Sequence, residues 1–192
     1  VPLGKTGTRY ARAMNKLGWH WWPSEIAIAT QEYDGRAACI NLGHCTPGCA
    51  QGAKASVDIT YWPQALRAGV ELRSRCRVRE ITTGADGLAT GAVYYDPDGV
   101  ERFQPAEMVN LAANGVGTPR LLLNSASAAH PDGLANSSGQ VGRNLMLHPW
   151  PMIIGYGDEE VDGDRAPQTV MWSKEFYETD PARGFLRGYT LQ

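Results

Sequence analysis

The sequence lacks most features that would identify a chemistry at once. It has no run of 18 apolar residues, so no transmembrane segment is predicted. Its formal net charge of −2 provides no field that would attract nucleic acid, so no nucleic-acid partner is expected. Four cysteines in 192 residues are too few for a disulfide-stapled scaffold. A P-loop, an H-E-x-x-H motif and a G-x-S-x-G motif are all missing, which leaves no recognisable nucleophile or metalloprotease site.

Two further absences concern the ends of the chain. It opens at Val1 without a methionine, a basic segment or an apolar segment, so no targeting peptide is visible and no compartment is indicated. It stops at Gln192 inside a strand-like pattern. We therefore expect a fragment of a longer protein. With 43% hydrophobic and 20% charged residues, the chain is nevertheless long enough for a globular core.

Hydrophobic periodicity and turn residues predict mixed α/β structure. Helices are predicted at 8–17, ending before Gly18, and at 53–68, interrupted at Trp62–Pro63. A three-stranded antiparallel meander is predicted within 70–104, with strands at 70–81, 88–95 and 100–104. Arginines alternate along one face of the first strand. We interpret that pattern as a polar strand face in solvent, which also agrees with the net charge; a polyanion groove is the less favoured alternative.

A second pattern predicts a buried strand, a glycine turn and a helix. The apolar run 108–113 is followed by the turn 114–117, and Thr118 and Pro119 suit the N-cap and first turn of a helix. Such an arrangement directs backbone N–H groups and a helix dipole towards an anion. By itself it is a weak signal, because many α/β proteins contain it without a ligand.

Three cysteines lie within eleven positions of a glycine-rich loop: Cys39, Cys45 and Cys49. Thiolates at close, flexible spacing can surround one soft metal centre. On the residues alone, a metal or iron–sulfur site and thiols that only pack are equally well supported.

Three tryptophans lie close together in the sequence: Trp19, Trp21 and Trp22. They could form a binding platform or seal the edge of a core.

Three ordered segments resemble the glucose–methanol–choline (GMC) flavoprotein oxidoreductases, and within them the sugar and gluconate dehydrogenases. The segments are 45–65 (CTPGCAQGAKAS, then TYWPQA), 114–125 (NGVGTPRLLLNS) and 133–149 (GLANSSGQVGRNLMLHP). The resemblance implies the central part of a Rossmann-like FAD-binding domain at 1–147, including the cysteine loop 39–49 and the meander. It also implies the start of an antiparallel-sheet substrate domain at 148–192.

The resemblance also implies a function. Members of the family oxidise the CH–OH group of a sugar, polyol or other alcohol by hydride transfer to FAD. The adenine is expected against the backbone of Val78. The flavin chain is expected near Ala112, Ala113, Asn114, Gly115, Thr118 and Pro119.

Further expectations concern metal and partners. Sugar dehydrogenases of the family that pass electrons to a cytochrome- or quinone-linked subunit carry a cluster on similarly spaced cysteines. Cys39, Cys45 and Cys49 are therefore expected to converge on a 3Fe-4S cluster. The alternative is an electron-transfer module built around that loop. The family's dinucleotide fingerprint and catalytic histidine are absent from this sequence. No catalytic residue is named, and the fragment alone is expected to be inactive.

Overall fold

The computed structural model describes residues 3–165, 167 and 169–192. The chain divides into two compact units, Val1–Val70 with Ile154–Gln192, and Glu71–Ile153. The domain boundary near residue 148 stays a prediction. No helix in the described ranges is long and apolar enough to cross a membrane.

The elements follow one another in the order α1 (Gly4–Leu17), β1 (Trp22–Pro23), α2 (Val57–Arg67), β2 (Arg77–Thr83), β3 (Ala89–Tyr95), β4 (Glu101–Pro105), α3 (Asn114–Asn124) and β5 (Met171–Trp172). Two 3₁₀ turns lie at Gly163–Arg165 and Pro181–Arg183. The mixed α/β fold class and the three-stranded antiparallel sheet agree with the sequence-based expectation.

The two helices of the first unit depart from the expected bounds. Helix α1 ends at Leu17 as predicted, with Gly18 in the left-handed region at φ 71°. It begins earlier than predicted, at Gly4, and the Thr8 hydroxyl lies inside the helix, where it donates to the Gly4 carbonyl instead of capping a helix start. The predicted interruption of α2 is wrong. Pro63 lies within a continuous helix, where it removes a single hydrogen bond to the Ile59 carbonyl.

The aromatic residues after α1 pack within the first unit. Strand β1 pairs antiparallel with β5, which places Trp22 opposite Trp172. Trp19 meets Phe176 edge to face with ring centroids 4.8 Å apart, and Phe176 stacks on Tyr189 at 5.3 Å. These contacts favour the interpretation of the tryptophans as the edge of a core.

The second unit is built on the meander. Its strands pair antiparallel in the order β2-β3-β4. The Asp96 carboxylate accepts from the amides of Asp98 and Val100 and so closes the second turn. Strand β2 starts at Arg77 and not at residue 70, because Arg75 adopts φ 57° in a turn just before it. Only the second half of the predicted arginine alternation, from Arg77 onward, therefore lies in a strand.

The predicted buried strand at 108–113 is wrong. Residues 108–112 have no strand partner in the part of the chain that the structure describes. The Ala113 amide donates to the Thr118 hydroxyl. A run of apolar residues becomes a strand only when a second strand satisfies its backbone.

The core within each unit is thin. Among the described residues, the buried apolar side chains are Ala11, Ala53, Ile81 and Met171. Large apolar side chains are exposed between Leu145 and Tyr156, including Ile153 at 92% and Tyr156 at 100%. The large core that the length permits is not formed within these residues.

Candidate functional site

The second unit contains an open cleft of about 790 Å³. Strand β2 and the residue before it form one wall, the run 109–113 a second, and α3 a third, while Ala92 and Tyr95 contribute from β3. Small-molecule pockets have volumes of roughly 300–1,000 Å³, so the cleft is large enough for an extended ligand.

The cleft brings together part of the predicted cofactor site. Val78, Ala112 and Ala113 all line it, although the first two are 34 positions apart in the sequence. Asn114, Gly115, Thr118 and Pro119 are not among its lining residues, whereas Gly117 is. The structure therefore joins the strand and the end of the apolar run, and leaves most of the turn outside the cleft.

The start of α3 differs from the predicted one. The helix begins at Asn114 (φ 63°), so Thr118 and Pro119 lie inside it and do not cap it. The Asn114 side-chain oxygen accepts from the amides of Val116 and Gly117 at 2.9 and 3.0 Å. An asparagine side chain thus satisfies two of the amides that were expected to face an anion.

A β-bulge shapes the wall formed by β2. Val78 pairs with Tyr94 and Glu80 with Val93, so Arg79 is the extra residue. The consecutive residues 76–79 all contribute to the cleft, and at Arg79 the bulge breaks the strict alternation of sides. The predicted separation of arginines onto an opposite, solvent-facing side is therefore wrong for Arg77 and Arg79.

The cleft is electropositive. No aspartate or glutamate is among its lining residues, whereas Arg77, Arg79 and Arg120 are. Arg79 is neutralised by Glu80 and Glu101, each at 2.7 Å, and its hydrogen bond to Glu80 is the main cause of its raised pKa. Arg77 lies over the Tyr95 ring, 5.1 Å from its centroid. Neither Arg77 nor Arg120 has a carboxylate partner among the described residues, so both are free to meet an anion.

Sequence reasoning missed Arg120 as a cleft residue. The cleft-lining positions of α3 are Gly117, Arg120, Leu121 and Asn124. Their spacing of three and four residues is that of a single helix face. This spacing is visible in the sequence, but it identifies Arg120 as a cleft residue only once the structure shows which way that helix face points.

A buried serine joins α3 to β2. The Ser125 hydroxyl accepts from the Ile81 amide at 2.8 Å and donates to the Leu121 carbonyl at 2.7 Å. Ser125 is 4% exposed. This contact fixes the helix beside the strand and so sets the separation of two cleft walls.

We expect Ser125→Ala to lower the free energy of unfolding by about 1–3 kcal/mol, because it leaves the buried Ile81 amide without an acceptor. Urea unfolding of the wild type and variant measures the difference. Ser137→Ala is the matched control, since Ser137 is exposed in a turn. Equal stability of the two variants would show that the Ser125 hydrogen bonds contribute nothing.

The cysteine loop lies in the first unit and is held by backbone and side-chain contacts. The Gln51 side chain donates to the Ala38 carbonyl at 2.6 Å and accepts from the Ile40 amide at 3.0 Å. Lys54 Nζ donates to the Cys45 carbonyl at 2.9 Å. Cys39, Cys45 and Cys49 all line one small cavity of about 40 Å³, so the loop does bring the predicted residues together.

The thiols of this loop have different environments. Backbone amides of residues 51–54, that of Lys54 most strongly, hydrogen-bond to Cys49 and lower the pKa of its thiol. Burial raises the pKa of the Cys45 thiol, and the charges of Cys39 and Cys49 raise it further. The pKa values of the Cys45 and Cys49 thiols are therefore shifted in opposite directions.

The structure does not support the predicted 3Fe-4S cluster. Within the described ranges, no group of three or more His, Cys, Asp or Glu side chains is arranged to hold a metal ion. The electron-transfer module centred on this loop loses its support for the same reason.

Comparison with known proteins covers most of the chain. Residues 8–150 match the family described as GMC oxidoreductase. The chain is 43% identical over 195 residues to 2-methyl-1,2-propanediol dehydrogenase of Mycolicibacterium austroafricanum. It is 34% identical over 149 residues to the fructose dehydrogenase large subunit of Gluconobacter japonicus. It is 31% identical over 145 residues to the gluconate 2-dehydrogenase flavoprotein of Pantoea cypripedii.

These alignments cover the chain far better than they cover the relatives. They include 100%, 78% and 71% of this chain, but 35%, 27% and 23% of the three relatives in the same order. The chain thus spans about a third of the relatives' length or less.

Proposed function

The chain belongs to the GMC oxidoreductase family of FAD-binding proteins, and from this premise we propose that it is part of an FAD-dependent enzyme that oxidises a CH–OH group. The proposed substrate is a sugar, a polyol or another small alcohol. Relatives named for a diol, for fructose and for gluconate support this class. FAD, when bound, supplies the acceptor for the hydride that leaves the alcohol carbon.

The cleft of the second unit carries this proposal. It combines Val78 with Ala112 and Ala113, and places the unpaired guanidinium groups of Arg77 and Arg120 beside them. Apolar walls with a few positive charges suit a ligand that has a flat ring and phosphate groups. The residues present therefore fit the ADP half of FAD.

Within this proposal, the chain's own residues bind and orient the cofactor. The backbone at Val78 would hold the adenine, and the segment from Ala112 to Thr118 would lie near the diphosphate or ribityl chain. The Asn114 side chain orders this segment by holding two of its amides. Asn114, Gly115, Thr118 and Pro119 shape the segment, while Ala112 and Ala113 provide its contact surface.

The proposal assigns no proton transfer to these 192 residues. Catalytic groups are expected elsewhere in the whole protein, so the chain alone should be inactive and should bind FAD weakly or not at all. A cytochrome- or quinone-linked partner is the proposed electron acceptor. The name of the fructose dehydrogenase large subunit, which implies further subunits in that enzyme, supports it.

We expect the whole protein to purify yellow with bound FAD. Anaerobic addition of its alcohol substrate should bleach the flavin absorbance, because the hydride reduces the cofactor. The first substrates to test are 2-methyl-1,2-propanediol, fructose and gluconate, with their oxidised carbonyl products as controls. A colourless protein that takes up no FAD would contradict the proposal. A flavoprotein that no alcohol or sugar reduces would contradict its substrate class.

A further inference from the structure

Arg77 has different surroundings from the other two arginines of the cleft. Arg77 in β2 pairs directly with Tyr95 in β3, so the two side chains lie on the same face of the sheet. The guanidinium lies over the Tyr95 ring, 5.1 Å from its centroid, and both residues line the cleft. A flat cation on an aromatic ring is a favourable stack. One face of the guanidinium plane is therefore occupied by the tyrosine.

The other face of this guanidinium has no partner among the residues that the structure describes. Arg77 is exposed and makes no ion pair or side-chain hydrogen bond within them. Arg79, by contrast, is held by Glu80 and Glu101. Arg120 lies over no aromatic ring in the same part of the chain. Arg77 thus offers the cleft a flat surface with an aromatic support.

This flat surface lies next to the position proposed for the adenine. Val78 follows Arg77 directly, is exposed, and lines the same cleft. Consecutive Cα atoms lie about 3.8 Å apart, so a ring held against the Val78 backbone is within reach of the Arg77 side chain. Among the described residues that line the cleft, Tyr95 is the single aromatic one, and Arg77 covers one face of its ring. Stacking of a ligand ring therefore falls to the Arg77 plane more readily than to Tyr95.

We propose that Arg77 determines the cofactor specificity of the cleft by stacking on the adenine ring of FAD, with its guanidinium between that ring and Tyr95. This inference rests on the function proposed above. Arginine planes stack on nucleobases and on tyrosine rings, and such stacking needs a flat surface as well as a charge. Arg120 is left to meet the diphosphate as a charge. The cleft then selects FAD over FMN, which carries a phosphate but no nucleobase.

Two substitutions at Arg77 separate the flat surface from the charge. Arg77→Phe keeps a flat ring and loses the charge, whereas Arg77→Lys keeps the charge and loses the flat surface. The whole protein, freed of FAD, is titrated with FAD at about 1 M salt, where the screening length is about 3 Å and charge contributes least. We expect Arg77→Lys to weaken FAD binding at least about fivefold, and Arg77→Phe less than about threefold. Equal losses or the reverse order would overturn the proposal.

ADP tests whether the contact is with the adenine half of the cofactor. The affinity of the whole protein for ADP should fall in Arg77→Lys by the same factor as its affinity for FAD. An ADP affinity that is undetectable in the wild type, or that does not respond to this substitution, would overturn the stacking on adenine.

Arg73→Lys is the matched control. Arg73 also lies over a tyrosine, 5.8 Å from the centroid of the Tyr94 ring, but it does not line the cleft. This variant should bind FAD like the wild type. A loss as large as that of Arg77→Lys would show that the effect needs no contact with the cofactor, and would overturn the proposal. If the wild type binds FAD and the variants contradict the expected order, the stacking role fails and the proposed function stands. A wild-type protein that takes up no FAD would contradict both.

Discussion

A Gly91→Ala variant should lose a large part of its folding stability, roughly 2–6 kcal/mol. Gly91 is a buried residue of β3, at φ 155°, paired with Thr82 on one side and Pro105 on the other. A Cβ there would overlap the Gln104 carbonyl oxygen and lie 2.8 Å from the Phe103 ring. The cost combines about 1–3 kcal/mol of backbone strain with about 1–3 kcal/mol of overpacking. For a domain whose total stability is about 5–15 kcal/mol, this is a severe loss.

Gly87→Ala provides the matched control for that experiment. Gly87 also has a positive φ, at 80°, but nothing lies within 4 Å of its ideal Cβ position. Gly87→Ala should therefore lower the free energy of unfolding by about 1–2 kcal/mol, from backbone strain without steric overlap. Urea unfolding of the two variants beside the wild type measures both values. If Gly91→Ala is no less stable than Gly87→Ala, the close approach of β3 and β4 does not constrain the sheet.

The meander was predictable because its determinants are local. Its three strands lie close together in the sequence, and the turn at Asp96 to Gly99 contains the residues that such a turn requires. The start of β2 was not predictable from alternation alone. The polar–apolar pattern runs from residue 70, but the left-handed conformation of Arg75 ends it as a strand.

The predicted strand at 108–113 shows where prediction from local sequence fails. Its composition suits a buried strand, yet pairing depends on a partner that no local pattern specifies. The helix that follows it was predicted, but its first residue was not. Asn114 combines a left-handed backbone with a capping side chain, two properties for which asparagine is well suited. Asn114 is therefore the sequence signal for the observed start of α3.

The candidate site was only partly predictable for a similar reason. Val78 and Ala112 came from family resemblance, and the cleft unites them. The bulge at Arg79 has no sequence signature, so the arginines of β2 were assigned to a separate face. The spacing of the cysteines predicts that they come together, and they do line one cavity. Spacing does not reveal that no metal-holding group of three side chains forms among the described residues.

An Ala112→Glu variant of the whole protein should lose at least nine-tenths of its FAD affinity. Ala112 is exposed and lines the cleft, so the longer side chain does not enter a packed core. Its carboxylate would be the first acidic group in the cleft, where it would repel a diphosphate and neutralise Arg77 or Arg120. At about 8 Å and an effective dielectric constant of about 20, one such repulsion is worth about 2 kcal/mol. A tenfold loss in affinity corresponds to about 1.4 kcal/mol.

Two further variants isolate the effect of charge in that cleft. Ala112→Gln has nearly the same size as Ala112→Glu without the charge, and should keep most of the FAD. Ala126→Glu adds the same charge at an exposed position that does not line the cleft, and should bind FAD like the wild type. Flavin absorbance per protein, measured after dialysis against a series of FAD concentrations, compares the three variants with the wild type. Because the repulsion acts on the phosphates, the affinity lost by Ala112→Glu should be partly restored at high salt, where charges are screened. Equal FAD affinity in all four proteins would remove the cleft from the cofactor site.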